Sequence, residues 1–236
     1  MTTSRFDRFK DAGWFEYLKD RDVIVGGAGG IGSFVNFFLS RLGCNIYIYD
    51  MDLFEAHNMS GQLVRGKDIG KSKTDVAIEI VKDFSNHSRI EALGEYTEES
   101  EFNPIMISCF DNMLARKNMF NNWVKGLTDE NKSEAIFIDG RLLAEQYQIF
   151  CIRGEDSEAI EAYKQHLFND SEVEDVECTY KQTTHCAAGI ASHMIGFLTN
   201  FALGNYSAVP FYYEYITNVN VTIEHNVQSI SAIGQE

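Results

Sequence analysis

Apolar positions along the chain alternate between short continuous runs and stretches with helical spacing. Over residues 1–20, Phe6 with Phe9 and Trp14 with Tyr17 recur at helical intervals, which predicts a helical N-terminal arm. "DVIVGG" is then a β-branched run closed by glycine, the pattern of a parallel strand buried on both faces. From Gly32 to Leu42, the residues Phe34, Val35, Phe38 and Leu42 are available for one helical face, and "NIYIYD" is the next strand. "DIGKSKTDVAIEIVKDFSN" sets Val76, Ala77, Ile80, Val81 and Phe84 at helical spacing, with Asp68 or Ser72 as the cap. "RIEALGEY", "PIMISCF", "AIFIDG" and "EQYQIFCIR" read as strands, and "MLARKNMFNNWVKGL" as a helix among them. This alternation predicts a Rossmann-like α/β fold: a doubly wound, mainly parallel sheet with helices on both faces.

The pattern changes near residue 154. Residues 154–185 are strongly acidic and predict a helix followed by a solvated loop, inserted into the domain. "CAAGIASHMIGFLTNFALG" predicts a long apolar helix rich in small residues, either core or subunit interface; within it His193 is expected to pack in that core or interface. "PFYYEYITNVNVTIEH" alternates as a short C-terminal antiparallel strand pair. No repeat or low-complexity linker interrupts the chain, so residues 1–236 are expected to form a single domain.

Composition narrows the function classes. Acidic residues outnumber basic ones by 35 to 20, for a net charge of -15, which argues against nucleic acid as a partner because phosphate neutralisation needs a basic face. No apolar run approaches the roughly 20 residues needed to cross a bilayer, so no membrane partner is expected. The polar start shows no signal peptide, and a cytoplasmic protein is expected. Cys44, Cys109, Cys151, Cys178 and Cys186 form no CxxC pair, so reduced thiols are expected and no zinc site.

The candidate chemistry begins at Gly27-Ala28-Gly29-Gly30-Ile31-Gly32, between a predicted strand and a predicted helix. Glycines there let a phosphate approach the backbone, and the helix N-terminus adds partial positive charge. Asp50, at the end of the second strand, can accept both ribose hydroxyls of an adenosine, and Asp52 follows on the same face. Up to this point NAD and ATP fit equally. The next residues separate them. Asn58, Arg65 and Lys73 lie in a segment that passes beside the phosphates, and Asp111-Asn112 falls at the carboxyl end of a strand. An aspartate there can hold Mg²⁺, which a triphosphate needs and a nicotinamide does not. Arg116 lies five residues beyond Asp111, in the helix that follows.

The ordered set GxGGxG, DxD, Asn, "DIGKSK" and Asp-Asn-x-x-x-Arg resembles the ThiF/MoeB/E1 family of adenylating enzymes over about residues 5–120, and more loosely the helix after Cys186. The resemblance implies ATP-dependent, Mg²⁺-assisted adenylation of a carboxylate with release of pyrophosphate. The substrate it implies is the C-terminal glycine of a ubiquitin-like or sulfur-carrier protein; other members act on a tRNA-borne carboxylate or a peptide antibiotic precursor. It assigns Gly27, Gly29, Gly30 and Gly32 to the nucleotide loop, Asp50 to the ribose, Asn58 to the phosphates, Lys73 to charge stabilisation and Asp111 to Mg²⁺. "SRFDRF" resembles the family's Arg-Tyr-x-Arg stretch, which implies a homodimer in which Arg8 reaches the partner's ATP. Such chemistry rests on positioning and charge neutralisation, since the attacking carboxylate is already ionised.

The sequence also departs from the family. Gly61 stands where a phosphate-contacting arginine is expected, and Arg65 or Lys67 is the candidate substitute. Cys186, or Cys178 in the acidic loop, is the candidate for a covalent link to the carrier; a buried helix-start cysteine is the alternative for Cys186. His185 is adjacent to Cys186 and is its candidate activator. The missing cation supports a second hypothesis, a nucleotide-binding scaffold or assembly subunit without catalysis. An NAD-linked oxidoreductase is the third.

Overall fold

In a computed structural model of the chain, residues 4–87, 89–168, 182–217 and 220–225 are described. They form an eight-stranded sheet in the order β3-β2-β1-β4-β5-β6-β7-β8. The strands β1 (Asp22–Gly26), β2 (Asn45–Tyr49), β3 (Ile90–Gly94), β4 (Ile105–Ser108) and β5 (Ile136–Leu143) pair in parallel. The strands β6 (Gln146–Arg153), β7 (Tyr212–Ile216) and β8 (Val221–His225) extend the sheet antiparallel. The expected Rossmann-like sheet and its terminal antiparallel strands are therefore present.

Strand alternation sorts the core into two layers. Val23, Val25, Ile105, Ile107, Ile136 and Ile138 point to one face, where they pack with Val35, Leu39, Ile190 and Met194 of α2 (Gly30–Leu42) and α6 (Thr184–Ala202). Ile24, Met106 and Phe137, the residues between them, point to the other face. There they meet Met119, Phe120 and Trp123 of α4 (Met113–Gly126) and Tyr163 of α5 (Ser157–Lys164). Both layers are buried, which is why β1 and β4 read as unbroken apolar runs. The apolar helix α6 thus serves the core. Gly140 leaves room for it, since a Cβ there would stand 2.6 Å from the sulfur of Met194.

One expectation changes. The N-terminal arm is not a continuous helix: Ser4 to Trp14 form successive turns, and only α1 (Phe15–Leu18) is α-helical. Its aromatic residues fold onto one another instead of lining a stripe, with Phe6 and Phe15 ring centroids 5.0 Å apart and Phe9 and Trp14 5.5 Å apart. Phe6 also closes over Gly43, where a Cβ would come within 2.9 Å of its ring. The acidic insertion begins with the expected helix. Its helix α5 buries Ala159 and Tyr163 in the α4 layer, capped by Asp156, whose carboxylate accepts the Ala159 N–H at 2.9 Å. Residues 169–181, including Cys178, lie outside the described residues. α3 (Lys73–Ser85) packs beside α2 and is capped by Ser72, whose Oγ faces the Asp75 N–H at 3.5 Å. Among the described residues, no helix is long and apolar enough to cross a membrane.

Candidate functional site

The order of the parallel strands reverses between β1 and β4, and a cleft of about 1060 Å³ opens at their carboxyl ends. This switch point is where open α/β sheets bind ligands, because the loops from adjacent strands diverge there.

The glycines of the loop after β1 have different tasks. Gly27 has φ 95° and donates its N–H to Tyr49 O at 2.8 Å, and a Cβ on it would stand 2.8 Å from Cys109 O. A Cβ on Gly32 would stand 1.9 Å from Gly27 O. Both positions are glycine because backbone meets backbone there. Gly29 and Gly30 line the cleft with Gly27, and nothing closer than 3.9 Å faces a Cβ on Gly29. Helix α2 starts at Gly30 with no side-chain cap, so its first N–H groups are available to an anion.

Asp50 locks this loop to β2. Its two carboxylate oxygens accept the N–H groups of Ala28 at 2.7 Å and Asp52 at 2.8 Å. A carboxylate has about four acceptor sites, so Asp50 keeps capacity for ribose hydroxyls. Burial raises its pKa, against the opposing effects of those N–H bonds and of Lys73. Lys73, the first residue of α3, lines the cleft and is 8% exposed. Its Nζ donates to Asp52 Oδ2 at 2.7 Å, so Asp52 is the lysine's partner in this structure. The bridge between Leu53 and Ser72 sets the two segments side by side.

Asp111 lines the opposite part of the loop ring, exposed, with no ion pair among the described residues. Asn112 also lines the cleft, but its Oδ1 accepts the Ala115 N–H at 2.8 Å and caps α4. Arg116 follows on α4 and is buried, donating to Asp139, to Phe110 O and to Gly140 O. Asp139 is fully buried and also accepts from Arg141 Nε and the Tyr163 hydroxyl, each at 2.8 Å. This network ties the turn bearing Asp111 to the ends of β4 and β5. Six carboxylates line the cleft (Asp50, Asp52, Asp111, Glu95, Glu98, Glu99) against the cations Lys73, Arg116 and Arg141. Asp111, with no ion pair among the described residues, is the carboxylate available to a divalent cation. Among the described residues no three His, Cys, Asp or Glu side chains group to hold a metal; Mg²⁺ on nucleotide phosphates commonly takes only one or two carboxylates.

Several expected residues are not brought to the cleft. Asn58 is buried in a 3-10 turn, where its Oδ1 accepts the Glu55 N–H at 2.8 Å; a local capping role absorbs it. Arg65, the expected substitute for the missing arginine, is held by Asp68, Glu79 and Asp83 and does not line the cleft; nor does Lys67. The hydrogen bond to Asp68 holds its pKa above the usual arginine value. Arg8 is exposed on the arm and does not line the cleft. Cys186 is 1% exposed in the core at the start of α6, with its Sγ 3.2 Å from Thr217 Oγ1, so it is closed to a carrier's tail. His185 stands near Thr183, its Nε2 3.3 Å from Oγ1. Among the described residues Cys109 is the one cysteine that lines the cleft, and burial pushes its thiol pKa up, away from the reactive thiolate. His193 packs as expected, between the hydroxyls of Tyr147 at 3.1 Å and Tyr213 at 3.0 Å.

Other cleft residues carry no signal in a linear reading. Tyr96 stacks edge-on with Tyr49, ring centroids 4.7 Å apart, and with Phe110 makes an aromatic wall. Burial raises the Tyr96 pKa to about 12, so its hydroxyl stays neutral. Gln62 and Gln182 meet at the glycine loop although 120 positions separate them. Asp139 and Arg141 had a usable signal: an Asp-x-Arg alternation at the carboxyl end of a strand.

The ThiF family model matches residues 3–231, nearly the whole chain. The chain belongs to the ThiF family. It is 33% identical over 99 residues to the adenylyltransferase and sulfurtransferase uba4 of Aspergillus niger, covering 41% of this chain and 20% of that protein. It is 30% identical over 113 residues to the ubiquitin-activating enzyme E1-like protein of Saccharomyces cerevisiae, covering 44% of this chain and 18% of that one. This ThiF-family chain thus spans about a fifth of the length of those relatives. Its fold is similar to E. coli MccB, crystallised with MccA, at a TM-score of 0.70 and 17% identity, over 96% of this chain and 72% of MccB. PaaA is similar at a TM-score of 0.69 and 15% identity, over 94% of this chain and 68% of PaaA.

Proposed function

We propose that this ThiF-family chain uses ATP and Mg²⁺ to adenylate a carboxylate, most directly the C-terminal glycine of a ubiquitin-like or sulfur-carrier protein, releasing pyrophosphate. The observation that carries this reading is the placement of Lys73 and Asp111 on one cleft with the uncapped start of α2. In this reading the α2 N–H groups hold phosphate, and Asp50 takes the ribose beside the Tyr96 and Phe110 wall. Lys73, released from Asp52, neutralises charge developing at the α-phosphate. Mg²⁺, when bound at Asp111, supplies charge compensation for the phosphates and the leaving pyrophosphate. Arg8 joins the site from a partner protomer of a homodimer. The names of the relatives, an adenylyltransferase and an E1-like enzyme, support the same class.

The reaction needs no general base. The carboxylate oxygen attacks the α-phosphorus, the bond to the β-phosphate oxygen breaks, and pyrophosphate leaves with the electron pair. Catalysis then comes from orientation and charge neutralisation. ATP–pyrophosphate exchange measured with candidate carriers tests the reading, with Lys73→Ala as the control. A second reading, a non-catalytic scaffold, is favoured by the absence of a cation at position 61 and the excess of carboxylates in the cleft. ATP-dependent assembly without ATP consumption distinguishes it.

A further inference from the structure

The cleft lacks the charge expected at position 61, and another side chain occupies the space. A Cβ on Gly61 would stand 2.6 Å from Gln182 Cγ and 2.7 Å from its Nε2. A Cβ on Gly30, at the start of α2, would stand 2.0 Å from Gln182 Oε1. Gln182 therefore lies across both glycines, and any side chain at either position would have to displace it.

The backbone around Gln182 is fixed from two sides. Gln182 forms a parallel bridge with Ala144, at the turn between β5 and β6. Two residues on, Thr184 Oγ1 donates to Ser60 O at 2.7 Å, pinning the start of α6 to the turn that ends at Gly61. The Gly61 segment is itself held on α2, because the Leu63 N–H donates to Ser33 Oγ at 3.0 Å. Beside it, Gln62 lines the cleft at 8% exposure, and its Oε1 is buried without a hydrogen-bond partner. Two amides thus converge where phosphate would meet the helix N-terminus; the unpartnered atom of Gln62 is its acceptor oxygen, and it is the amide nitrogens that a phosphate would engage.

We propose that Gln182 binds an outer phosphate of the nucleotide, its amide N–H group taking the place over Gly30 that position 61 leaves open. The proposal rests on the nucleotide reading of the cleft given above. A primary amide donates to phosphate oxygen without adding charge, and it turns about its terminal torsion to present nitrogen instead of oxygen. Gly61 and Gln182 then form a reciprocal pair: the contact requires the absence of a side chain at one position and its presence at the other. Electrostatic neutralisation of the phosphates falls more heavily on Lys73 and the metal ion.

The test compares binding of Mg·ATP and of AMP to the full chain by isothermal titration calorimetry, with thermal melting as the folding control. Hydrogen bonds to charged groups predict that Gln182→Ala weakens Mg·ATP binding by roughly 10- to 100-fold. AMP binding, which lacks the outer phosphates, should stay within about twofold. Gln182→Glu should weaken Mg·ATP further through repulsion, with an unchanged melting temperature. Gly61→Ala should weaken Mg·ATP in the natural chain, yet cost little more in the Gln182→Ala background, because the space is then free. Equal losses for ATP and AMP, or none, in Gln182→Ala would overturn the proposal while leaving the nucleotide reading intact. Failure of the natural chain to bind Mg·ATP or AMP would overturn both.

Discussion

Gly29 and Gly32 sit three residues apart, yet the structure gives them opposite roles. Gly32 lies against Gly27 O, so Gly32→Ala must move backbone, whereas Gly29 has open space before it. We expect Gly32→Ala to lower the melting temperature clearly, by about 1–3 kcal/mol of stability as overpacking does. Gly29→Ala should melt near the natural chain and lose Mg·ATP affinity, which calorimetry and thermal melting on the two variants will separate. The loop, Lys73 and Asp111 were legible because their spacing relative to strand ends is set by the chain itself. Arg65 was not: two of its three carboxylate partners, Glu79 and Asp83, sit on a different element, and only folding brings them together. Asn58 looked like a ligand but its nearest partner is local, the Glu55 N–H, as asparagine often prefers. Gln182 could not be found at all, since its neighbours Gly30 and Gly61 are distant in sequence.

Strands and the longer helices follow from periodicity because burial on two faces leaves few other patterns. The N-terminal arm departs from its apparent helix because aromatic residues three apart pack equally well across consecutive turns. What holds the arm is Arg5, which donates to Ser85 O and, at 2.8 Å, to His87 Nδ1. His87 is buried, and its Nε2 lies 2.7 Å from Cys44 O. The neutral tautomer with the proton on Nε2 satisfies both contacts, since Nδ1 then accepts from the arginine. Burial lowers the His87 pKa, and the nearby Arg5 and Arg89 lower it further. The unfolded chain therefore binds a proton before the folded one does, and stability falls as pH drops through the unfolded value of about 6.5. The loss levels off once pH passes below the folded value. Melting curves of the natural chain should show this fall between neutral and mildly acid pH. His87→Asn should flatten it, and an identical pH slope in both proteins would remove His87 as the cause.

At the scale of the molecule, an acidic cleft and an exposed arm shape the functional reading. The carboxylates lining the cleft oppose a bare polyphosphate, and the proposed Mg²⁺ and the proposed Arg8 of a second protomer would offset them. If Arg8 acts across a dimer, Arg8→Ala and Lys73→Ala chains should each be nearly inactive in exchange alone. Mixed in equal amounts they should recover about a quarter of natural activity, because half the dimers then carry one intact site of two. No recovery on mixing would place Arg8 outside the partner's site. The broad assignment was open to the sequence because motif order survives where overall identity is low. Carrier adenylation is tested most directly by Mg²⁺-dependent ATP–pyrophosphate exchange by the natural chain, run with a ubiquitin-like carrier ending in glycine and with the same carrier lacking that glycine. Carrier adenylation predicts exchange that requires both Mg²⁺ and the terminal glycine and that fails in Lys73→Ala. Bound ATP with no exchange for any carrier would contradict it.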